Sequence, residues 1–168
     1  MPETPQQYTR RILGNIERKE PLNVLAASPR QIARLIKGVS KKKLTRRPAP
    51  RVWSVAEIVA HLADAELVVG FRIRLVLGSS GAPIPAYDQD AWAAFSNYAK
   101  QDPALSLEAF RVTRERTLRL LKSLPRKSWD SWGMHSERGR ETVTRMVDML
   151  AGHDLNHVKQ IRERLSKP

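Results

Sequence analysis

Cysteine is absent from this chain of 168 residues. Its absence excludes disulfides, thiolate metal ligands and a cysteine nucleophile. A chain without disulfides suits a reducing compartment, and we expect a cytoplasmic protein. Long apolar runs are also missing, because the longest, residues 67–78, is interrupted by Arg72 and Arg74 and is too short to span a bilayer. The first ten residues have no apolar core of a secretory signal peptide, so we expect no membrane association.

Acidic residues are few relative to basic ones. The chain has 17 Asp and Glu against 30 Lys and Arg, which gives a formal charge of +13 at pH 7. Such a balance is compatible with binding to nucleic acid, an anionic membrane or an acidic ligand. The basic residues are nevertheless scattered, and their densest stretch, residues 37–51, lies in a proline-containing connection. No zinc finger or aromatic RNA-binding motif is present. We therefore interpret the charge as a solvated basic surface and keep nucleic-acid binding as an alternative.

The composition favours a single globular domain over residues 1–168, in which residues 1–21 form a leading segment. Hydrophobic residues make up 41% of the chain, which is enough to form a core. Apolar residues recur at spacings of three and four, which is typical of helices that bury one face. The pattern predicts helices over residues 4–19, 22–37, 55–78, 89–98, 106–124 and 141–165. Residues 125–140 are predicted to be irregular.

The clearest helix start is the capping box formed by Ser54 and, three residues later, Glu57. An apolar stripe follows at Val55, Ile58, Leu62, Ala65, Val69 and Val76. Within residues 22–37, the Ser28-Pro29 pair marks either a break or a fresh N-cap with proline at the first helical position. Four long helices without strand alternation between them predict an all-α four-helix bundle, and the long loops predict crossover connections.

Two of the four histidines, His153 and His157, are four residues apart in the last predicted helix. Both fall within its apolar stripe, which also contains Val143, Met146, Leu150 and Ile161. An imidazole buried in an apolar stripe is costly unless its nitrogens find partners. Side chains one helical turn apart can reach one metal ion. A pair of hydrogen-bonded core histidines is the alternative.

A third histidine, His61, borders the buried stripe of the helix predicted over residues 55–78. If that helix lies beside the last one, His61 completes a three-histidine metal site with His153 and His157. Three neutral imidazoles without a thiolate suit Zn²⁺, Ni²⁺ or Fe²⁺. Three protein ligands also leave at least one coordination position open, which is typical of catalytic metal sites.

Several other polar residues near these histidines have open roles. His135 is either a residue at the mouth of the bundle site or a hydrogen-bonded loop histidine. Asp64 is a fourth ligand, an acceptor that orients a histidine, or a surface carboxylate. Gln160, one turn beyond His157, could touch a ligand. We interpret Asp154 and Asn156 as solvent-facing or helix-contact residues, since they point away from the histidine stripe.

The remaining candidates are large side chains. The four tryptophans are interpreted as packing residues, although Trp92 could line a pocket. Arg72 and Arg74 either form ion pairs or bind an anionic substrate, and we favour ion pairs.

The stretch "RPAPRVWSVAEIVAHLADAE" followed by "AGHDLNHVKQI" resembles the DinB-like proteins, also called the DinB/YfiT superfamily. The order is the same: a Trp-Ser entry to a helix, one histidine within it, and a histidine pair late in the last helix. The likeness extends over residues 22–165 and includes "YDQDAW" and "HSERG". It implies a four-helix bundle of up-down-down-up topology, a metal at His61, His153 and His157, and a homodimer.

The resemblance leaves the reaction open. Members of the superfamily include S-transferases that use bacillithiol or mycothiol, and a mycothiol-type maleylpyruvate isomerase; a related domain supplies iron ligands in ergothioneine-forming sulfoxide synthases. We expect a Zn²⁺-, Ni²⁺- or Fe²⁺-dependent enzyme that transfers a low-molecular-weight thiol cosubstrate to an electrophilic small molecule. The alternatives are a metal-dependent hydrolase and a non-catalytic bundle that binds a metal, a small ligand or nucleic acid.

Overall fold

The computed structural model describes residues 3–166. The helices of these residues are α1 (Pro5–Gly14), α2 (Pro21–Ile36), α3 (Lys41–Thr45), α4 (Val55–Gly78), α5 (Gln89–Phe95), α6 (Pro103–Ser123) and α7 (Val143–Ser166). Two 3₁₀ turns lie at Tyr98–Lys100 and Arg126–Asp130, and the strands are β1 (Ala82–Ile84), β2 (Trp132–His135) and β3 (Gly139–Thr142). No helix in this range combines the length and hydropathy needed to cross a bilayer.

The long helices α2, α4, α6 and α7 form a four-helix bundle, which confirms the predicted fold class. The main contacts pair α4 with α6 and α7, and α2 with the same two helices. The successive helices α2 and α4 therefore occupy diagonal corners, and so do α6 and α7. Two helices that follow one another in the chain but lie at diagonal corners need a long connection. This arrangement accounts for the crossover loops predicted from the sequence.

The capping box predicted at the start of α4 is present. The Ser54 hydroxyl accepts a hydrogen bond from the Glu57 backbone N–H at 3.3 Å, and the Glu57 carboxylate accepts one from the Ser54 N–H at 2.8 Å. Helix α6 begins three residues before its predicted start. Asp102 caps it by accepting from the Ala104 N–H, and Pro103 occupies the first helical position.

Helix α2 continues through Ser28-Pro29, so the structure shows neither of the two alternatives considered for this pair. A proline inside a helix lacks the N–H that would bond the carbonyl four residues earlier, here that of Leu25. The Arg114 guanidinium of α6 donates to this carbonyl at 3.0 Å instead. A tertiary contact thus satisfies the group that Pro29 leaves without its helical partner.

The region predicted to be irregular contains a β-hairpin. Strand β2 pairs antiparallel with β3 and parallel with β1, which gives a three-stranded sheet in the order β1-β2-β3. Gly133 permits this sheet to pack against α4, because a Cβ there would collide with Ile84 and Val76. Since Glu141 pairs in β3, α7 begins at Val143 and not at the predicted residue 141.

The bundle core consists of two apolar clusters at different levels. One contains Leu25, Ile73, Leu118 and Leu150, and the other contains Ile32, Ile58, Phe110, Val158 and Ile161. Buried polar residues lie along α4, α6 and α7 between these clusters or at the edge of the second one: His61, Glu66, Arg114, Asp154 and His157. A polar layer therefore crosses the middle of the bundle, and it contains two of the three predicted metal ligands.

Candidate metal centre

The three predicted metal ligands meet between α4 and α7. The Nε2 atom of His153 lies 3.0 Å from the Nε2 atom of His61 and 3.0 Å from that of His157. One ring nitrogen from each of the three residues lies within 4.8 Å of those of the other two. Helix α7 supplies two of them because His153 and His157 are one turn apart, and the contact of α4 with α7 brings His61 opposite them.

The arrangement fits a metal ion better than mutual hydrogen bonds. A neutral imidazole nitrogen carries either one proton or one lone pair, so Nε2 of His153 can form a hydrogen bond with only one of its two neighbours. Bonds of about 2.0–2.1 Å to a tetrahedral ion separate two ligand nitrogens by about 3.3 Å, close to the distances found here. The donor set of three imidazoles suits Zn²⁺, Ni²⁺ or Fe²⁺. That these residues hold a metal stays a prediction.

Burial keeps the three imidazoles neutral. It lowers the pKa of His61 to about 3, with a smaller contribution from the charge of His157. It lowers the pKa of His157 to about 4 and that of His153 well below the ordinary value. Metals bind the neutral form of histidine, so at pH 7 metal binding would require no net release of protons from these rings.

Gln160 and Trp53 fix the orientation of two of the histidine rings. The Oε1 atom of Gln160 lies 2.9 Å from Nδ1 of His157, and the Trp53 ring packs on His61 with ring centroids 4.8 Å apart. Trp53 is held by the Arg164 guanidinium, which donates to its carbonyl at 2.6 Å. Gln160 therefore contacts His157, a candidate metal ligand. The sequence had suggested a contact between Gln160 and a bound molecule instead.

Asp64 lies outside the histidine cluster. Its carboxylate accepts a hydrogen bond from the Tyr98 hydroxyl at 2.6 Å, and Tyr98 packs edge-on against Trp53. Among the residues described, Asp64 belongs to no ligand group and orients no histidine directly. Its contact with the site runs through Tyr98 and Trp53, a role that differs from the three considered from the sequence.

An open cleft reaches the histidines from the side covered by α1. Three adjoining cavities of about 90, 450 and 270 Å³ are all lined by His153 and Tyr8. Tyr8 comes from the leading segment, in which no functional residue was predicted. Helix α1 packs on α7, where Arg11 donates to Asn156 and Asn15 donates to the Gly152 carbonyl. The histidine cluster thus faces a space large enough for small molecules.

The two larger cavities form two lobes of this cleft. The lobe of about 450 Å³ is lined by Arg72, Tyr87, His135 and Arg138. The lobe of about 270 Å³ is lined by residues that include Arg51, Trp53, Gln160 and Arg164. Sequence reasoning missed Tyr87 and Arg138, which reach the cleft from a loop and from the hairpin. Trp92 packs on Tyr87 with ring centroids 5.0 Å apart and so supports the lobe from behind.

His135 lies in β2 and takes no part in the histidine cluster. Its Nδ1 atom accepts a hydrogen bond from the Glu137 backbone N–H at 3.2 Å, as the hydrogen-bonded alternative required. Its Nε2 atom is buried and has no partner within residues 3–166. Burial lowers the pKa of His135 to about 4, assisted by the charge of Arg138. The side chain also lines the larger lobe, so both interpretations made from the sequence describe part of its environment.

A buried ion network lies at the same level of the bundle. Arg114 donates to the Glu66 carboxylate at 2.7 Å and to the Asp154 carboxylate at 2.6 Å, and all three side chains are at most 1% exposed. Asp154 is therefore a helix-contact residue, and the solvent-facing alternative is wrong. Sequence reasoning missed the network, although Arg114 stands at a core position of the α6 stripe, where a charge requires a buried partner.

Comparison with known proteins agrees with this geometry. The profile of the DinB superfamily matches residues 25–161. The chain belongs to the DinB superfamily. The matched range includes both elements that carry the three histidines, whereas α1 and Tyr8 precede it.

The chain is also similar to proteins that are distant from it in sequence. A protein of Oceanobacillus iheyensis is 24% identical over 136 residues, which cover 81% of this chain and 78% of the relative. A protein of Bacillus mycoides is 26% identical over 141 residues, covering 82% and 81%. Both are named provisionally as metal-dependent hydrolases.

The solved structure of YfiT from Bacillus subtilis superposes with a TM-score of 0.78 at 20% identity, covering 98% of this chain and 91% of YfiT. YfiT is described, also provisionally, as a metal-dependent hydrolase with an unusual four-helix bundle topology. At 20% identity, the similarity shows that this chain and YfiT share a fold, and it shows the fold alone.

Proposed function

We propose that this DinB-superfamily chain is a metal-dependent enzyme that transfers a low-molecular-weight thiol to an electrophilic small molecule. The observation that carries the proposal is the convergence of three neutral imidazoles at the base of an open cleft. A buried histidine cluster with a structural role alone would need no such access. An ion held by three protein ligands keeps a position for a reactant.

A divalent ion at His61, His153 and His157 would lower the pKa of a thiol or water bound beside it and so supply a nucleophile near neutral pH. The protein contributes the orientation of the ligands. Gln160 holds the His157 ring through Nδ1, and Trp53 holds the His61 ring by packing. Tyr8 forms part of the cleft wall beside His153.

The shape of the cleft favours two organic reactants. One lobe extends from His153 towards Arg72 and Tyr87, and the other extends towards Trp53 and Arg164. A thiol and an electrophile could approach the centre from the two sides, whereas hydrolysis needs space for one organic molecule and water. Because the chain contains no cysteine, the thiol would come from a small molecule.

Metal-dependent hydrolysis is the second candidate. It is favoured by the provisional names of the relatives from Oceanobacillus iheyensis and Bacillus mycoides and by the description of YfiT. The same three histidines would serve it, since activation of water also requires an open coordination position.

The metal centre is tested by metal analysis of purified protein. We expect about one divalent ion per chain in the wild type, as for a single mononuclear site. The double variant His153→Ala/His157→Ala should contain almost none. His135→Ala is the matched control, because it removes a buried histidine that lines the cleft outside the cluster, and it should retain the metal. Equal metal contents in the wild type and the double variant would overturn the site.

The reaction is tested with candidate thiols, including bacillithiol and mycothiol, and the electrophile monochlorobimane. Conjugation that requires both the thiol and the metal supports transfer. If no thiol gives metal-dependent conjugation while p-nitrophenyl acetate is hydrolysed in a metal-dependent way, hydrolysis replaces transfer as the function. Failure of both reactions with a metal-loaded protein leaves a bundle that binds a metal or ligand without turnover and rejects the proposal.

A further inference from the structure

Arg72 of α4 is a buried cation in the wall of the cleft. Arg72 is only 7% exposed, and it lines both the cavity of about 90 Å³ and the lobe of about 450 Å³. Its Nη2 atom donates to the Pro85 carbonyl at 2.6 Å, and its guanidinium lies 5.7 Å from the centre of the Tyr87 ring. These contacts anchor one edge of the guanidinium.

The charge of Arg72 has no counter-ion in the described part of the chain. No carboxylate of residues 3–166 lies within ion-pair distance of its guanidinium. The ion pair favoured from the sequence is therefore not formed. A buried charge without a direct ion pair is costly, and burial lowers the pKa of Arg72, although the more distant charges of Glu141 and Glu137 act in the opposite direction. Arginine nevertheless stays charged in proteins, so the cost persists until an anion arrives.

The second arginine of this lobe is already neutralised. Arg138 donates to both carboxylate oxygens of Glu141, from Nε at 2.7 Å and from Nη2 at 2.9 Å. Glu137 also lines the lobe and adds a negative charge. The formal charges of Arg72, Arg138, Glu141 and Glu137 therefore sum to zero, and within the described residues Arg72 is the arginine of this group without a direct ion pair. A site of this balance suits a monoanion better than a dianion.

Hydroxyl donors stand beside Arg72. Tyr87 and Tyr8 line the same cavity, and burial raises the pKa of Tyr87 to about 12 and that of Tyr8 above its ordinary value. Both hydroxyls are therefore protonated at neutral pH and can donate hydrogen bonds. The ion-paired Arg138 and Glu141 and the imidazole of His153 complete the polar lining of this cavity. Its apolar lining consists of Ala65, Val69, Met146, Met149 and Leu150.

We propose that Arg72 binds a carboxylate of the substrate, so that the substrate is a small organic acid with its reactive part directed towards His153. The planar guanidinium matches a carboxylate in shape and charge, and hydrogen bonds between two charged groups are strong. The apolar wall accommodates a body of a few carbons between the carboxylate and the metal centre. This inference rests on the proposed function, since it names the substrate class of the same cleft.

The first test compares butyrate with its uncharged isostere butyramide, by protein-observed NMR titration of the wild type as purified and after treatment with EDTA. We expect butyrate to bind and butyramide to bind at least about tenfold more weakly, because only the former makes a charged contact. The preference should persist in the metal-free protein, so a failure of the metal proposal does not affect this result. Equal binding of the two probes would overturn the inference.

The second test uses variants of two arginines on one helix. Arg72→Gln should weaken butyrate binding at least about tenfold, and Arg72→Lys should weaken it less, because lysine keeps the charge without the planar fork. Arg74→Gln is the matched control, since Arg74 is exposed and donates to the Gly70 carbonyl of its own helix. Unchanged binding in Arg72→Gln, or equal losses in Arg72→Gln and Arg74→Gln, would contradict the assignment.

Two further measurements address misfolding of Arg72→Gln and binding of an anion other than a carboxylate. If Arg72→Gln does not fold, Tyr87→Phe tests the same subsite, and a several-fold loss of butyrate binding is expected because one donor is removed. Unchanged binding in that variant would then count against the assignment. Inorganic phosphate should bind more weakly than butyrate, since one arginine without a direct ion pair faces it and the charge of Glu137 opposes a second negative charge. Tighter binding of phosphate would reject a carboxylate site. The metal content of Arg72→Gln should equal that of the wild type.

Discussion

Two groups of polar side chains lie buried at one level of the bundle, and they are satisfied in different ways. Arg114, Glu66 and Asp154 neutralise one another through direct ion pairs. His61, His153 and His157 stay neutral through burial and turn three nitrogens towards one point. The first group is complete within the protein, whereas the second needs an ion to satisfy all three nitrogens. This difference separates a structural network from a candidate active site.

Removal of Arg114 should be strongly destabilising. Arg114→Met leaves the carboxylates of Glu66 and Asp154 buried without a cation, and burial already raises the pKa of Glu66 despite the opposing charge of Arg114. We expect a loss of about 3–5 kcal/mol in the free energy of unfolding, measured by urea denaturation. Arg111→Met is the matched control, because Arg111 lies exposed on the same helix in surface ion pairs, and it should leave the free energy of unfolding nearly unchanged. Similar losses in both variants would show that the buried network has no special role.

At the scale of elements, helix α1 determines how the cleft is closed. It carries Tyr8 into all three cavities and packs on α7 at Gly152, where a Cβ would overlap the carbonyl of Ile12. Glycine is therefore required at this crossing because the two helix backbones touch. The position of α1, and with it the wall of the cleft, depends on the lack of a side chain one residue before His153.

Gly152→Ala should displace α1. The added methyl group has no room against the Ile12 backbone, so we expect a loss of about 1–3 kcal/mol in the free energy of unfolding and faster hydrogen exchange of the α1 amides. Gly14→Ala provides the control, since a Cβ at that position meets no atom within 4 Å. It should leave the exchange of α1 unchanged or slightly slower. Unaltered α1 exchange in Gly152→Ala would disprove the close contact.

At the scale of the whole molecule, the four histidines couple stability to pH. Burial lowers the pKa of His61 to about 3 and those of His135 and His157 to about 4, and it lowers that of His153 well below the ordinary value. In the unfolded chain each would take up a proton near pH 6.5. Below that pH the unfolded state binds more protons than the folded state, and stability falls as pH falls.

The metal-free protein should therefore lose stability between about pH 6.5 and pH 4, by up to about 1.4 kcal/mol per pH unit for each of these histidines. The free energy of unfolding is measured by urea denaturation across this range, and little contribution from the histidines is expected above pH 7. His61→Leu should reduce the slope of the free energy of unfolding against pH by the contribution of about one proton, because one titrating group is removed. An identical slope in His61→Leu and the wild type would show that burial does not lower the pKa of His61.

Three features could be predicted from the sequence alone: the four long helices, the capping box at Ser54, and the position of His153 and His157 on one helix face. These features depend on residues three or four apart, whose contacts follow from helical geometry. The position of His61 beside the stripe of α4 made it the third candidate on the condition that α4 lies next to α7, and the resemblance to a known superfamily implied the same three ligands.

The ion network, the hairpin and the walls of the cleft were not predictable from the sequence, because they depend on how the helices pack. Arg114 meets partners 48 and 40 residues away, and Arg72 is anchored by a carbonyl in a loop beyond its own helix. Tyr8 reaches the cleft because α1 crosses α7 at Gly152. Such contacts join residues distant in sequence, and no local periodicity encodes them, because burial and charge pairing are settled only when the helices pack.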